Sequence, residues 1–278
     1  MKETSIINFL YSTIPGRGCL KILTQPWFSK CCSLYLDSHA SAWMVPFFIK
    51  KYQIDMREYS LGPYHSFNDF FTRKRQDKLL KYEEDQLVSP CDGWLSIHKI
   101  SSDKIFKIKN ATYDISQLLR DPMLADKYSN GLCFIFRMTP QHYHRYSYSC
   151  SGEASATRRI KGILHCVRPI AYGSRSVYTE NCRAYEIIRS QKFGDIIQME
   201  VGELMIGKIC NHPHKMYVEG LQEKGFFAFG GSTIIILLQA DKIIINNKFK
   251  DAFFKEISVR QADTLGYMPR RECGDQNE

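Results

Sequence analysis

The chain has 278 residues, 44% of them hydrophobic and 13% aromatic, which is enough apolar surface for a substantial core and too much for a disordered chain. Lys and Arg outnumber Asp and Glu by 38 to 29, and the formal charge of +9 favours a polyanionic partner such as an anionic membrane or a nucleic acid.

From Ser5 to about Tyr52 the pattern is helical and amphipathic. Ile6, Ile7, Phe9, Leu10, Leu20, Ile22, Leu23, Trp43, Phe47, Phe48 and Ile49 alternate with Lys21, Lys30, Lys50 and Lys51. Aromatic and aliphatic side chains beside Lys suit a helix lying in a headgroup layer, and they equally suit a helical subdomain packed on a core. No apolar run approaches the roughly 20 residues needed to span a bilayer, so any membrane contact is expected to be peripheral, on the cytoplasmic side of the cell membrane. Met1 to Gly18 carries Glu3 and only a short apolar stretch, unlike a secretory signal.

Phe67, Phe70 and Phe71 fall at i, i+3 and i+4 and so share a helix face. From Leu87 the texture changes to short β-like runs: Trp94 to Ile97, Ile105 to Ile108, Leu132 to Met138, Ile196 to Val201, Leu204 to Ile209, Phe226 to Phe229 and Ile234 to Leu238. One helix, Ile115 to Tyr128, interrupts them, and the polar end from Arg270 reads as a frayed tail. The predicted class is α+β: an antiparallel, partly barrel-like catalytic core over residues 66–278 behind a helical, membrane-apposed segment over 1–65. The ten Cys contain no C-x-x-C pair, and Cys31 adjoins Cys32, so free thiols are expected. Cys150, Cys166 and Cys182 lack the spacing of a zinc site, and no metal is expected.

Four clusters carry candidate chemistry. Gly230-Gly231-Ser232-Thr233 lies between two apolar runs, and a Gly-Gly step permits a strained turn that lays the Ser232 hydroxyl against the carbonyl of Gly231. That oxygen can attack its own upstream peptide bond in an N-to-O acyl shift, and elimination of the ester then leaves a pyruvoyl group. Asp92 sits in the turn Ser89-Pro90-Cys91-Asp92-Gly93, His142 and His144 follow the strand ending at Met138, and His165 comes later. An acid, a base and a hydroxyl on separate turns are the parts of a relay that activates a nucleophile, although each residue alone also fits an ordinary turn or loop.

Taken in order, F-N-D-F-F-T-R-K, S-P-x-D-G, Y-H-R and F-G-G-S-T resemble the phosphatidylserine decarboxylase proenzymes, as do Ile54-Asp55-Met56 and the stretch from Phe193 to Gly202. The resemblance implies self-cleavage between Gly231 and Ser232 into a β chain (1–231) and an α chain (232–278). The two chains remain associated, and the family often forms dimers. It implies a covalent pyruvoyl cofactor made from Ser232, with Asp92 and a His in the relay. The cofactor forms a Schiff base with phosphatidylserine, and loss of CO2 gives phosphatidylethanolamine.

The sequence departs from the usual D-Y-H-R-x-H pattern: Ser147 replaces the second His, and His142 replaces the Asp. Serine is no general base near neutral pH, whereas an imidazole with an unperturbed pKa of about 6.5 is one. His144 keeps its motif context and ranks first as the base, His165 second and His142 third. Alternative readings are a pyruvoyl decarboxylase of another serine phospholipid, an ether-linked one included, and an unprocessed inactive homologue. A nucleic-acid-binding module is disfavoured because no basic stripe accompanies Phe226, Phe227 and Phe229.

Overall fold

The computed structural model of the chain describes residues 8–59, 62–76, 81–108, 111–166, 176–204, 208–228 and 232–269. The expected polar tail, the glycines Gly230 and Gly231, and Phe229 lie outside them.

The helical N-terminal segment is broken where its prolines require. Helix α1 spans Ile14–Leu23, with Pro15 in its first turn and the Thr13 side chain accepting from the Gly16 amide. Pro26 opens α2 (Pro26–Asp37), and α3 (Met44–Tyr52) ends at Gln53 in the left-handed region. The short α4 (Phe67–Phe71) is capped by Ser66. Its predicted stripe is core: Phe67, Phe70 and Phe71 are fully buried, with ring centroids 5.0, 5.9 and 6.4 Å from that of Phe48 on α3. Leu36 and Val45 complete this cluster, whereas Leu10, Tyr11 and Leu20 join the core of the main sheet.

The main sheet has nine strands, all antiparallel and labelled here in chain order: β1 Gly93–Lys99, β2 Leu132–Met138, β3 Gly152–Ala154, β4 Arg158–Ile160, β5 Arg183–Ser190, β6 Gly194–Gly202, β7 Tyr217–Val218, β8 Ser232–Leu238 and β9 Ile257–Val259. Their order is β7-β3-β5-β6-β8-β2-β1-β9, with β4 pairing on β5. This bears out the α+β class, but no closed barrel is found among the described residues: β7 and β9 are the two edges of an open sheet.

Strand β8 explains the continuous apolar run in the sequence. Ile235 and Leu237 face one cluster with Ile135, Ile197 and Met199, while Ile234, Ile236 and Leu238 face another with Phe134, Phe136 and Ile188. A strand covered on both faces has no use for alternation. Residues from α5 (Ile115–Leu119), α6 (Pro122–Asp126) and α7 (Val177–Glu180) cover the first face. The second face is covered by residues of two smaller three-stranded sheets, among them Leu87, Tyr146, Phe227 and Leu265.

Two expected elements differ from those observed. The single helix from Ile115 to Tyr128 is two short ones, because Arg120 turns left-handed (φ 49°) and Asp121-Pro122 starts a new helix with an aspartate cap. The run from Leu204 to Ile209 falls partly outside the described residues, and the strand there is Ile209–Asn211.

Phe48 joins three rings of α4 to α3, so Phe48→Ala is expected to cost about 3–5 kcal/mol. A denaturation midpoint unchanged from the wild type would contradict the packing described.

Candidate active site

Antiparallel pairing gathers six chain segments at one end of the main sheet. Ser232 opens β8 opposite Gly202, the last residue of β6, and opposite Met138, the last of β2. Trp94 of β1 pairs with Arg137, so Asp92 lies just beyond the same end, and Val259 of β9 pairs with Gly93, which brings Gln261 there too. Arg183 of β5 pairs with Val201, adding Asn181. The candidate residues Ser232, Asp92, His142 and His144, scattered through the sequence, thus share one sheet end. His165 joins them through Asn181, whose amide nitrogen donates to the carbonyls of both His165 and Gly202 at 2.8 Å. Gly231, the other half of the expected cleavage site, lies outside the described residues.

Ser232 is fully buried, and its hydroxyl donates to the Met138 sulfur at 3.3 Å. A thioether is a weak acceptor, so little holds the hydroxyl in place.

The turn after β2 arranges two histidines in opposite tautomers. His142 Nδ1 accepts from the Thr139 amide at 2.9 Å, leaving its proton on Nε2. His144 Nδ1 lies 2.9 Å from the carbonyl oxygen of His142, to which it donates, so Nε2 carries the free lone pair. That Nε2 is buried without a hydrogen-bond partner among the described residues. The ring lies on Phe71, with centroids 4.0 Å apart, and burial together with the Arg73 and His142 charges holds its pKa well below the usual imidazole value. Burial also lowers His142, against the opposing pull of the Asp92 carboxylate.

Asp92 is gripped by Arg75, whose guanidinium meets both carboxylate oxygens, and Oδ1 also accepts from the Gln261 amide at 2.9 Å. No hydrogen bond joins Asp92 to a histidine among the described residues. Ser147 sits beside the same turn: the Gln261 side chain donates to the Ser147 hydroxyl at 3.2 Å and to the Pro90 carbonyl at 3.3 Å. The position that lacks the usual second His is therefore linked to Asp92 through one glutamine.

His165 is enclosed differently. The Tyr11 hydroxyl accepts from the Cys166 amide at 2.9 Å, which directs its own proton at His165 Nδ1, 3.4 Å away, and Glu180 lies 3.4 Å from Nε2. Arg75, Gln261, Asn181 and Tyr11 were not singled out from sequence. Arg75 stands at the end of the Phe-rich motif and was open to notice as the nearest cation, while the other three carry no local signal.

A model of the family described as phosphatidylserine decarboxylase matches residues 67–267. The chain is 42% identical over 241 residues to phosphatidylserine decarboxylase proenzyme 2 of Clostridium acetobutylicum, covering 86% of this chain and 82% of that protein. It is 36% identical to the phosphatidylserine decarboxylase proenzyme of Clostridium botulinum, covering 94% of this chain and 91% of the other. The corresponding proenzyme of Clostridium tetani is 35% identical, with 97% and 90% covered. The chain belongs to the phosphatidylserine decarboxylase family, whose members are self-processing proenzymes with a pyruvoyl cofactor.

The unfolded chain binds protons at His144 near pH 6.5, whereas the folded chain resists them to lower pH. Protons therefore favour unfolding below about pH 6.5, and the stability linked to the neutral ring is complete above that value and declines as pH falls. The melting temperature is expected to drop between pH 7 and pH 5, with a shallower slope in His144→Phe. Equal slopes would show that burial of this ring is not the source.

Proposed function

We propose that this chain is a phosphatidylserine decarboxylase proenzyme that cuts itself between Gly231 and Ser232 and converts phosphatidylserine to phosphatidylethanolamine and CO2. The observation that carries the reading is the placement of Ser232 and the buried His144 turn at one sheet end, in a chain of this family. The Ser232 oxygen attacks the Gly231 carbonyl carbon, its proton passes by way of an imidazole to the departing Ser232 nitrogen, and an ester replaces the C–N bond; elimination then releases the Gly231 carboxylate, and hydrolysis by water with loss of ammonia leaves the pyruvoyl group. The residues present suit the group that follows: Ser232 is dry, only loosely held and the first residue of its strand. The pyruvoyl carbonyl made from it supplies an electron sink for the charge left when the substrate's carboxylate departs as CO2.

The chain's own residues handle protons and position. His144 is assigned the proton transfer, because its Nε2 is a bare acceptor in a dry environment and no other bond among the described residues competes for it. His165, oriented by Tyr11 and Asn181, is second, and His142 third. Asp92, held in place by Arg75, contributes a negative charge that favours the protonated form of His142 against the effect of burial.

After cleavage the short chain remains in place. Its strand β8 is paired on both sides, β9 pairs with β1, and Thr264–Tyr267 pairs with Gln86–Val88. Membrane contact is assigned to the N-terminal helices, where Ile14, Trp27, Leu34, Trp43 and Phe47 are exposed near Lys21, Lys30 and Lys50. No described helix is long and apolar enough to cross a bilayer, which agrees with peripheral attachment, and the cytoplasmic face of the cell membrane is where we assign it.

Mass spectrometry of the purified wild type is expected to give two fragments split before Ser232, the smaller with a blocked, hydroxylamine-sensitive N-terminus, and Ser232→Ala a single chain. An intact wild type would overturn the proposal. His144→Ala is expected to slow the step it serves by about 10²–10⁴. If His165→Ala alone abolishes cleavage, the proton transfer belongs to His165.

A further inference from the structure

A cleft of 670 Å³ opens between α1 and the His165 segment, lined among others by Tyr11, Ile14, Arg17, Lys21, Ile163 and His165. Arg17 and Lys21 are four residues apart, so both project from one face of α1, and both are exposed. None of the cleft's lining residues is acidic, and among the described residues neither cation has a carboxylate partner. Two like charges at this spacing repel, and the fold holds them over the cleft with no carboxylate among the described residues to offset that repulsion. Gly18 between them faces open space, since a Cβ there would meet nothing within 4 Å.

The inner end of the cleft is walled by His165, whose segment is tied to the sheet end already described. His165 stands at that end, and the Asn181 side chain ties its backbone to Gly202, the cross-strand partner of Ser232. Hydrogen-bonded strands lie about 4.8 Å apart, so Ser232 stands one strand spacing beyond that tie. The outer end passes Ile14, 80% exposed, on the apolar face assigned to the membrane.

We propose that this cleft is the headgroup subsite of the proposed decarboxylase, with Arg17 and Lys21 holding the phosphodiester anion of phosphatidylserine. The inference rests on the function proposed above. In that lipid only a methylene and an ester oxygen separate the phosphorus from the carbon that loses CO2. An anion held at the cleft wall therefore fixes the distance of the reacting carbon from Ser232, and the glycerol and acyl chains leave past Ile14 toward the bilayer. Arginine's planar fork matches two phosphate oxygens, and lysine adds a point charge. The subsite selects for a phosphodiester-linked serine over free serine, which has no group to occupy it.

The test uses dihexanoyl phosphatidylserine below its micellar concentration, so that adsorption to an anionic surface plays no part. The double variant Arg17→Gln/Lys21→Gln is expected to be processed like the wild type and to keep kcat within about twofold while KM rises about tenfold, the loss of charged hydrogen bonds to one anion. Lys255→Gln, which removes an exposed charge paired with Asp251 elsewhere on the surface, is expected to leave KM unchanged. Arg17→Lys/Lys21→Arg, which keeps both charges, is expected to recover most of the affinity. An unchanged KM in the glutamine double variant, or an equal rise in Lys255→Gln, overturns the subsite. A wild type that releases no CO2 from phosphatidylserine overturns instead the reading beneath it, and is seen in the wild-type arm alone.

Discussion

The rest of the structure depends on the burial of one strand on all sides. Strand β8 is hydrogen-bonded along its length to β6 and β2, and all seven of its residues are buried. Its backbone groups are satisfied only if both neighbours run antiparallel in one register. That register fixes Gly202 and Met138 opposite Ser232, and through them the turns that carry the histidines and the acid. Slippage by one residue would send Ile234, Ile236 and Leu238 to the wrong cluster and carry Ser232 away from its partners. The hydrophobic pattern of a seven-residue segment thereby holds the chemistry in place.

Much of this was legible in the sequence, and the limits have a physical origin. The Phe stripe and the run Ile234 to Leu238 were readable because burial dictated both patterns locally. The four clusters revealed the family because motif residues keep their chain order whatever their distance in space. What closes the site was not readable. Gln261 reaches Asp92 across 169 positions and Tyr11 reaches His165 across 154, and no local pattern records such contacts. Strand β5 was missed for a different reason: its charged residues Arg183 and Glu186 look like a solvated face, yet both are buried. Arg183 donates to the carbonyls of Leu118, Gln117, Thr179 and Asn181, and Glu186 accepts from Tyr148 and Thr157.

Those buried charges form part of a wider arrangement between the main sheet and its cover. Lys224 Nζ donates to both oxygens of Glu200 at 2.9 and 2.8 Å and lies 3.6 Å from Glu186. Burial raises the pKa of Glu200, and the Lys224 ammonium opposes that rise. Such a cluster is poor evidence of stability, because desolvation consumes most of the attraction, but removing one member leaves a buried charge without its counterion. It joins β5, β6 and the strand Glu223–Phe227, the segment that leads toward Ser232.

The completeness of the ladder around β8 has a consequence for the order of events in the life of the chain. The pairings of β8 need Ser232 only as the ordinary first residue of the strand, so in the maturation proposed above assembly comes first and scission second. Under that proposal a chain that has not built the sheet has no shared strand end to gather the hydroxyl, the imidazoles and the carboxylate, and it makes no cofactor. Maturation of the proposed kind acts as a proofreading step: only molecules whose central strand is seated become enzymes, and the proposed blocked terminus is a chemical record of correct folding.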